Sequence, residues 1–239
     1  MKATQFEFRF RFWIFSAIYF IGFWAPWLRY GRFAVPIGTT WLELSGELAH
    51  LMPLESATLI VTCVAIFCAA LGTAFRVWGT AYIGSSIMQS GTMHARGFVA
   101  AGPYRHVRNP LYLGSALFAV GIAILMPPSG AIFFLVATVV QLWRLILREE
   151  LFLQAERGEA YLTYQSRVPR LFPAIVARVA RSVSCPHWGE ALVAEIFSVA
   201  MTSCFAVLAW RYNATLLTQA LLVCFGLSLV VRAFGMKSA

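Results

Sequence analysis

Long apolar runs separated by brief polar breaks set the plan of this chain. The runs cover 12–28, 56–75, 110–126, 130–148, 192–210 and 214–231. The run at 56–75 is long enough to cross roughly 30 Å of hydrocarbon at about 1.5 Å per residue, and Arg76 closes it. Pro127 and Pro128 separate the third and fourth runs, so Pro110 to Met126 and Gly130 to Arg148 predict a tight helical hairpin. The last two runs predict a second one. Between the first two runs, the pattern gives a loop with a short interfacial helix around Thr40 to Met52. Residues 77–101 are apolar but rich in Gly and Ser, and are expected to lie partly buried at the cytoplasmic face. Residues 149–189 are mixed and partly amphipathic. The expected fold is all-α, a polytopic membrane protein of about six transmembrane helices, with segments at 1–76, 77–173 and 174–239.

Composition agrees and excludes an ordinary soluble domain. Hydrophobic residues make up 60% of the chain and charged residues only 12%, about half the usual charged share, and the mean hydropathy is +0.72. The formal charge of +9 does not imply nucleic acid, because the 19 basic residues sit scattered at the ends of apolar runs. With a cytoplasmic N-terminus and alternating spans, only Arg29, Arg32 and Arg211 fall on the far side, as the positive-inside rule requires. Both termini and the 102–112 region are then cytoplasmic. The first run is expected to be a retained span, since no small-residue cleavage site follows Trp24, Pro26 and Trp27. The five cysteines have no metal-ligand spacing, and neither a zinc site nor a disulfide framework is expected.

Two polar constellations stand out. The first is GPYRHVRNPLYLG, Gly102 to Gly114. Asn109 before Pro110 reads as a helix start, an N-cap followed by proline at the first helical position. Arg105 and Arg108 beside it either bind lipid headgroups or, with the free N–H groups of the helix end, seat an anionic group such as a carboxylate. The second is Gln141, Arg144 and Arg148, which share a helix face, with Glu149 one step away. Because the hairpin turn is short, it must bring Asn109 and Tyr112 near Arg148 and Glu149.

These residues resemble a known family. The series G-P-Y-R-x-x-R-N-P-x-Y-x-G, then Glu149-Glu150, then G-E-x-Y-x-x-Y-x-x-x-V-P-R-x-x-P over Gly158 to Pro173 is similar to the isoprenylcysteine carboxyl methyltransferase and phospholipid methyltransferase superfamily of integral membrane enzymes. The resemblance covers roughly Gln89 to Pro173, and makes 77–173 the methyltransferase core. It implies an S-adenosylmethionine site at Gln89, Arg96, Gly97, Phe98, Val99, Tyr104, Asn109, Pro110, Leu111, Tyr112 and Glu149, and a lipid or prenylated acceptor in the membrane. Asn109 stands where the family usually has His, and Leu145 where it has an Arg that grips a substrate carboxylate. Arg144 and Arg148 are the neighbours expected to orient an anionic acceptor. An amine acceptor would need a base, for which Glu150 is the candidate.

Two other readings stay open at this stage. A nicotinamide-dependent reductase of the membrane sterol-reductase type has a similar R-x-P-x-Y region, but with an acid where this chain has Ser115. A non-catalytic scaffold would use the arginines to bind anionic lipid.

Overall fold

The computed structural model describes residues 2–24, 38–84, 100–180 and 184–235. Among these, every regular element is helical: α1 Gln5–Arg9, α2 Arg11–Trp24, α3 Thr40–Leu48, α4 Leu54–Ile83, α5 Pro110–Ala123, α6 Pro128–Arg157, α7 Glu159–Arg167, α8 Trp188–Ala194, α9 Ile196–Leu208 and α10 Ala214–Gly235. Short 3-10 turns lie at Gly102–Arg105 and Ala209–Arg211. The protein is an all-α membrane protein.

Local chemistry explains the helix starts. Thr4 and Glu7 form a capping box before α1, each side chain taking the other's backbone N–H. Pro110 and Pro128 open α5 and α6, where a missing N–H costs nothing. Gly158, at φ +54°, makes the sharp step from α6 to α7.

By length and apolarity, α4, α6 and α10 can each cross a bilayer, and the bent pair Trp188–Ala194 and Ile196–Arg211 makes a fourth span if taken as one. The apolar helix α5 has 14 residues, about 21 Å at 1.5 Å per residue and short of the hydrocarbon thickness, while α2 reaches Trp24, the last described residue before 38. Among the described residues, three helices, or four if the bent pair is one span, are long and apolar enough to cross a membrane.

Two helices also run further than their apolar pattern. The second run does not stop at Arg76, since α4 continues to Ile83, and the fourth does not stop at Arg148, since α6 continues to Arg157. Hydropathy reads contact with lipid, whereas a helix continues wherever its polar side chains find partners. A short helix stands where one was expected around Thr40 to Met52, as α3, Thr40–Leu48.

The chain forms two compact units. One comprises 12–71, 116–139 and 196–239. Its core gathers Ile18, Phe23, Trp41, Phe118, Ile122, Met126, Phe134, Met201 and Phe205. The first N–H groups of α3, which have no partner inside the helix, donate to Met126 and Ile124 carbonyls at 2.8 and 2.9 Å. Trp41 Nε1 donates to Thr62 at 3.1 Å, so the buried indole is satisfied. Ala119 and Ala123 are buried in this core, where small side chains let helices pack closely.

The other unit comprises 1–11, 72–115 and 140–195 and carries the polar constellations. Here Gly114 lies directly against the backbone of Gly72: a Cβ at 114 would fall 2.6 Å from the Gly72 carbonyl oxygen. Gly102 is at φ +52° with its absent Cβ 2.4 Å from the Tyr82 ring, so glycine is required there. The backbone of 102–108 is strapped by the segment after α7. Arg108 N donates to the Pro169 carbonyl, while Ala174 N and Arg178 N donate to those of His106 and Arg105, all at 2.9 Å.

Candidate functional site

The start of α5 and the last turns of α6 meet as the hairpin geometry requires. Tyr112 O–H donates to Glu149 Oε1 at 2.5 Å. One residue on, Asn109 Nδ2 donates to Glu150 Oε1 at 3.3 Å and to the Arg170 carbonyl at 3.2 Å. The Asn109 side chain is therefore spent on these contacts, while its backbone carbonyl accepts from Leu113 N. It holds α5 to α6 and to the 168–170 strap.

Around these contacts lies a cavity of about 100 Å³. Of the expected site residues it is lined by Tyr104, Asn109, Pro110, Leu111, Tyr112, Glu149 and Glu150. Gln89, Arg96, Gly97, Phe98 and Val99 lie outside the described residues. Arg108, Tyr161 and Tyr164 also line the cavity, with Ile83 and Leu153 as apolar wall.

Glu150, expected as a general base, is placed otherwise. It is 3% exposed, and Arg170 grips it with Nε and Nη2 at 2.7 to 3.1 Å. Arg108 Nη1 lies 3.1 Å from its Oε1, on the side where Asn109 donates. A carboxylate whose oxygens already accept from a guanidinium and an amide is an anchor for those groups, not a free proton acceptor. Arg170 also stacks on Trp143, 5.1 Å from the ring centroid.

Arg144 and Arg148 turn away from the cavity. Arg144 Nη2 donates to both Glu7 oxygens at 2.8 and 2.9 Å, and Arg148 Nη1 donates to the Ala3 carbonyl at 3.0 Å. The helix face they share was read correctly, but the N-terminal segment claims it, and neither residue lines the cavity. Gln141 shares that face and leaves its Nε2 buried without a partner.

The cavity tyrosines are held as neutral O–H groups. Burial pushes Tyr161 up to about 12, and burial, followed by the neighbouring Tyr161, raises Tyr164 still further. Burial likewise carries Tyr104 well above its ordinary range. Tyr164 O–H donates to the Tyr104 carbonyl at 2.7 Å, fixing the 3-10 turn against α7. Sequence reasoning quoted Tyr161, Tyr164 and Arg170 inside a motif without giving them a role. Their signal was the Y-x-x-Y spacing, which sets both rings on one helix face.

A second polar cluster in this unit went unforeseen. Arg76 Nε donates to Glu195 Oε2 at 2.6 Å, Thr80 Oγ1 donates to Glu195 Oε1 at 2.9 Å, and Arg76 Nη1 donates to Ser115 Oγ. Glu195, 2% exposed, answers a cation that sits within a long apolar helix.

The residues that build the cavity wall on α4, α5 and most of α6 coincide with a family pattern. Residues 60–159 match the model of the family described as phospholipid methyltransferase. No curated protein and no solved structure matches the chain. The phospholipid methyltransferase segment includes most of α4, which the motif comparison had left out, and ends just before Tyr161. It takes in every cavity residue except Tyr161 and Tyr164. The chain is thus a membrane protein that, over 60–159, is similar to the phospholipid methyltransferase family.

Proposed function

We propose that this protein is an S-adenosylmethionine-dependent methyltransferase whose acceptor is a lipid or prenylated molecule held in the membrane. The observation that carries this reading is the Tyr112–Glu149 hydrogen bond, which closes a polar cavity at the N-terminus of α5 inside the family-matched residues. The cavity suits the amino-acid end of such a cofactor, because it presents a carboxylate, Glu149, and a cation, Arg108, together. At about 100 Å³ it is smaller than the roughly 300 Å³ at which pockets for whole drug-sized ligands begin.

When bound, S-adenosylmethionine supplies an electrophilic methyl on a sulfonium, transferred by in-line displacement. The protein's tasks are therefore alignment and exclusion of water. Tyr112 fixes the Glu149 carboxylate in one orientation. The unbonded N–H groups and positive end of α5 favour negative charge beside Pro110. Ile83, Leu111 and Leu153 line the rest with hydrocarbon. An acceptor that is already ionised, such as a carboxylate, needs no base in this scheme, and the commitment of Glu150 to Arg170 favours it over an ammonium acceptor. The family match favours methyl transfer over the reductase and scaffold readings.

Calorimetric titration of the detergent-solubilised protein with S-adenosylhomocysteine tests the reading, with NADPH as comparison. Saturable binding that Glu149→Gln and the Asn109→Ala, Tyr112→Ala double variant lose is the expected result. Binding of NADPH alone would replace this function with reduction. Binding that Glu149→Gln leaves intact would remove Glu149 from the site.

A further inference from the structure

Arg108 is buried on an incomplete set of partners. Its side chain is 9% exposed and lines the cavity. Nη1 lies near Glu150 but outside hydrogen-bond geometry, and neither Nε nor Nη1 has an acceptor. Leaving such N–H groups unbonded away from water is costly, more so on a charged group. Arg105, its neighbour in sequence, differs: its Nε donates to the Val179 carbonyl at 2.9 Å.

The local charge count gives the missing partner a sign. Two guanidiniums, Arg108 and Arg170, share one carboxylate, Glu150, and the better hydrogen bonds go to Arg170. One positive charge is left over, on the side of the cavity bearing the vacant N–H groups. A guanidinium N–H donating to a carboxylate oxygen makes a charge-assisted hydrogen bond, stronger than a neutral one. The α5 N-terminus adds its positive end to the same region. The cavity's other carboxylate, Glu149, provides a seat for a cation. A group with a carboxylate and an ammonium on one carbon meets both.

Resting on the methyltransferase reading, we propose that Arg108 is the residue that seats the carboxylate of the cofactor's amino-acid end, with the vacant Nε–H as donor, and that Glu149 faces the adjoining ammonium. The small enclosed volume takes this end of the cofactor in preference to an acceptor carrying a lipid chain. Asn109 and Arg170 are positioning residues: by holding Glu150 they keep Arg108 short of partners.

The test compares two ligands by calorimetry on the full chain in detergent. S-adenosylhomocysteine has the amino-acid end; 5′-methylthioadenosine lacks it. The wild type binds the first more tightly. Arg108→Gln weakens S-adenosylhomocysteine by roughly 10- to 100-fold, the worth of a charge-assisted pair, and leaves 5′-methylthioadenosine unchanged. Arg108→Lys, which retains the charge but not the Nε–H, falls between them. Glu150 keeps Arg170 and Asn109 in both variants, and an unchanged unfolding midpoint verifies the fold. Equal loss of both ligands makes Arg108 structural and overturns the proposal, as does unchanged S-adenosylhomocysteine affinity with a weakened acceptor, which would assign Arg108 to the acceptor's carboxylate. A wild type that binds both ligands equally overturns this inference alone. One that binds neither overturns the methyltransferase reading with it.

Discussion

Replacing Glu195 with Ala isolates what the buried Arg76–Glu195 pair does. The carboxylate is 1% exposed as a side chain and accepts from Arg76 at 2.6 Å and Thr80 at 2.9 Å. Its removal strands a guanidinium that is 24% exposed. Breaking a wholly buried pair costs about 3–5 kcal/mol. Arg76 keeps Ser115 as an acceptor and retains some access to its surroundings, so the lower end, about 3 kcal/mol, is expected. Arg76→Met alone leaves the more deeply buried partner charged, and is expected to cost about 4 kcal/mol. The double variant Arg76→Met, Glu195→Ala removes both charges and is expected to return to within about 2 kcal/mol of wild type. The diagnostic is this failure of additivity. Reversible unfolding in mixed micelles, followed by tryptophan fluorescence, measures all three. A cost below about 1 kcal/mol for Glu195→Ala would show that the stranded charge reaches water freely. A double variant as unstable as the sum of the singles would show that shape, not charge, governs the site.

Two further outcomes use the same assay. Gly114→Ala drives a Cβ onto the Gly72 carbonyl, a backbone atom that cannot swing aside, and is expected to destabilise by about 1–3 kcal/mol; Gly226→Ala, with nothing within 4 Å of its Cβ, is expected to gain about 0.5–1 kcal/mol of helix propensity. Glu7 is held down to about 2 from an ordinary 4.5, chiefly by the Arg144 hydrogen bond, so its contribution is complete above pH 4.5 and is lost as pH falls through about 2; Glu7→Gln should flatten that acid limb of the stability profile, and an unchanged limb would refute the pairing.

The sequence made some of this legible and not the rest, for physical reasons. The meeting of Tyr112 with Glu149 followed from two prolines and a short turn, because a tight hairpin sets the register of its helices. The helix start at Pro110 was equally local, whereas α6 opens at Pro128, inside the break expected before Gly130. Arg144 and Arg148 were placed on the right face, but Thr4 and Glu7 lie 137 residues or more from Arg144, and no local pattern announces which face a distant capping box will cover. Glu150 read as a free acid because Arg170 lies beyond a glycine step and a second helix. Hydropathy placed the end of α4 at Arg76 because a lone charge closes an apolar run; what keeps that charge inside the helix is Glu195, at a separation of 119 residues.

That separation also sets an order of events during synthesis. At about 5–20 residues per second, Arg76 emerges from the ribosome roughly 6–24 s before Glu195. For that interval the α4 helix carries an uncompensated cation, which holds its C-terminal turns at the headgroup level where the guanidinium can snorkel. The final seating of α4 therefore waits on translation of Glu195, just past the end of α8.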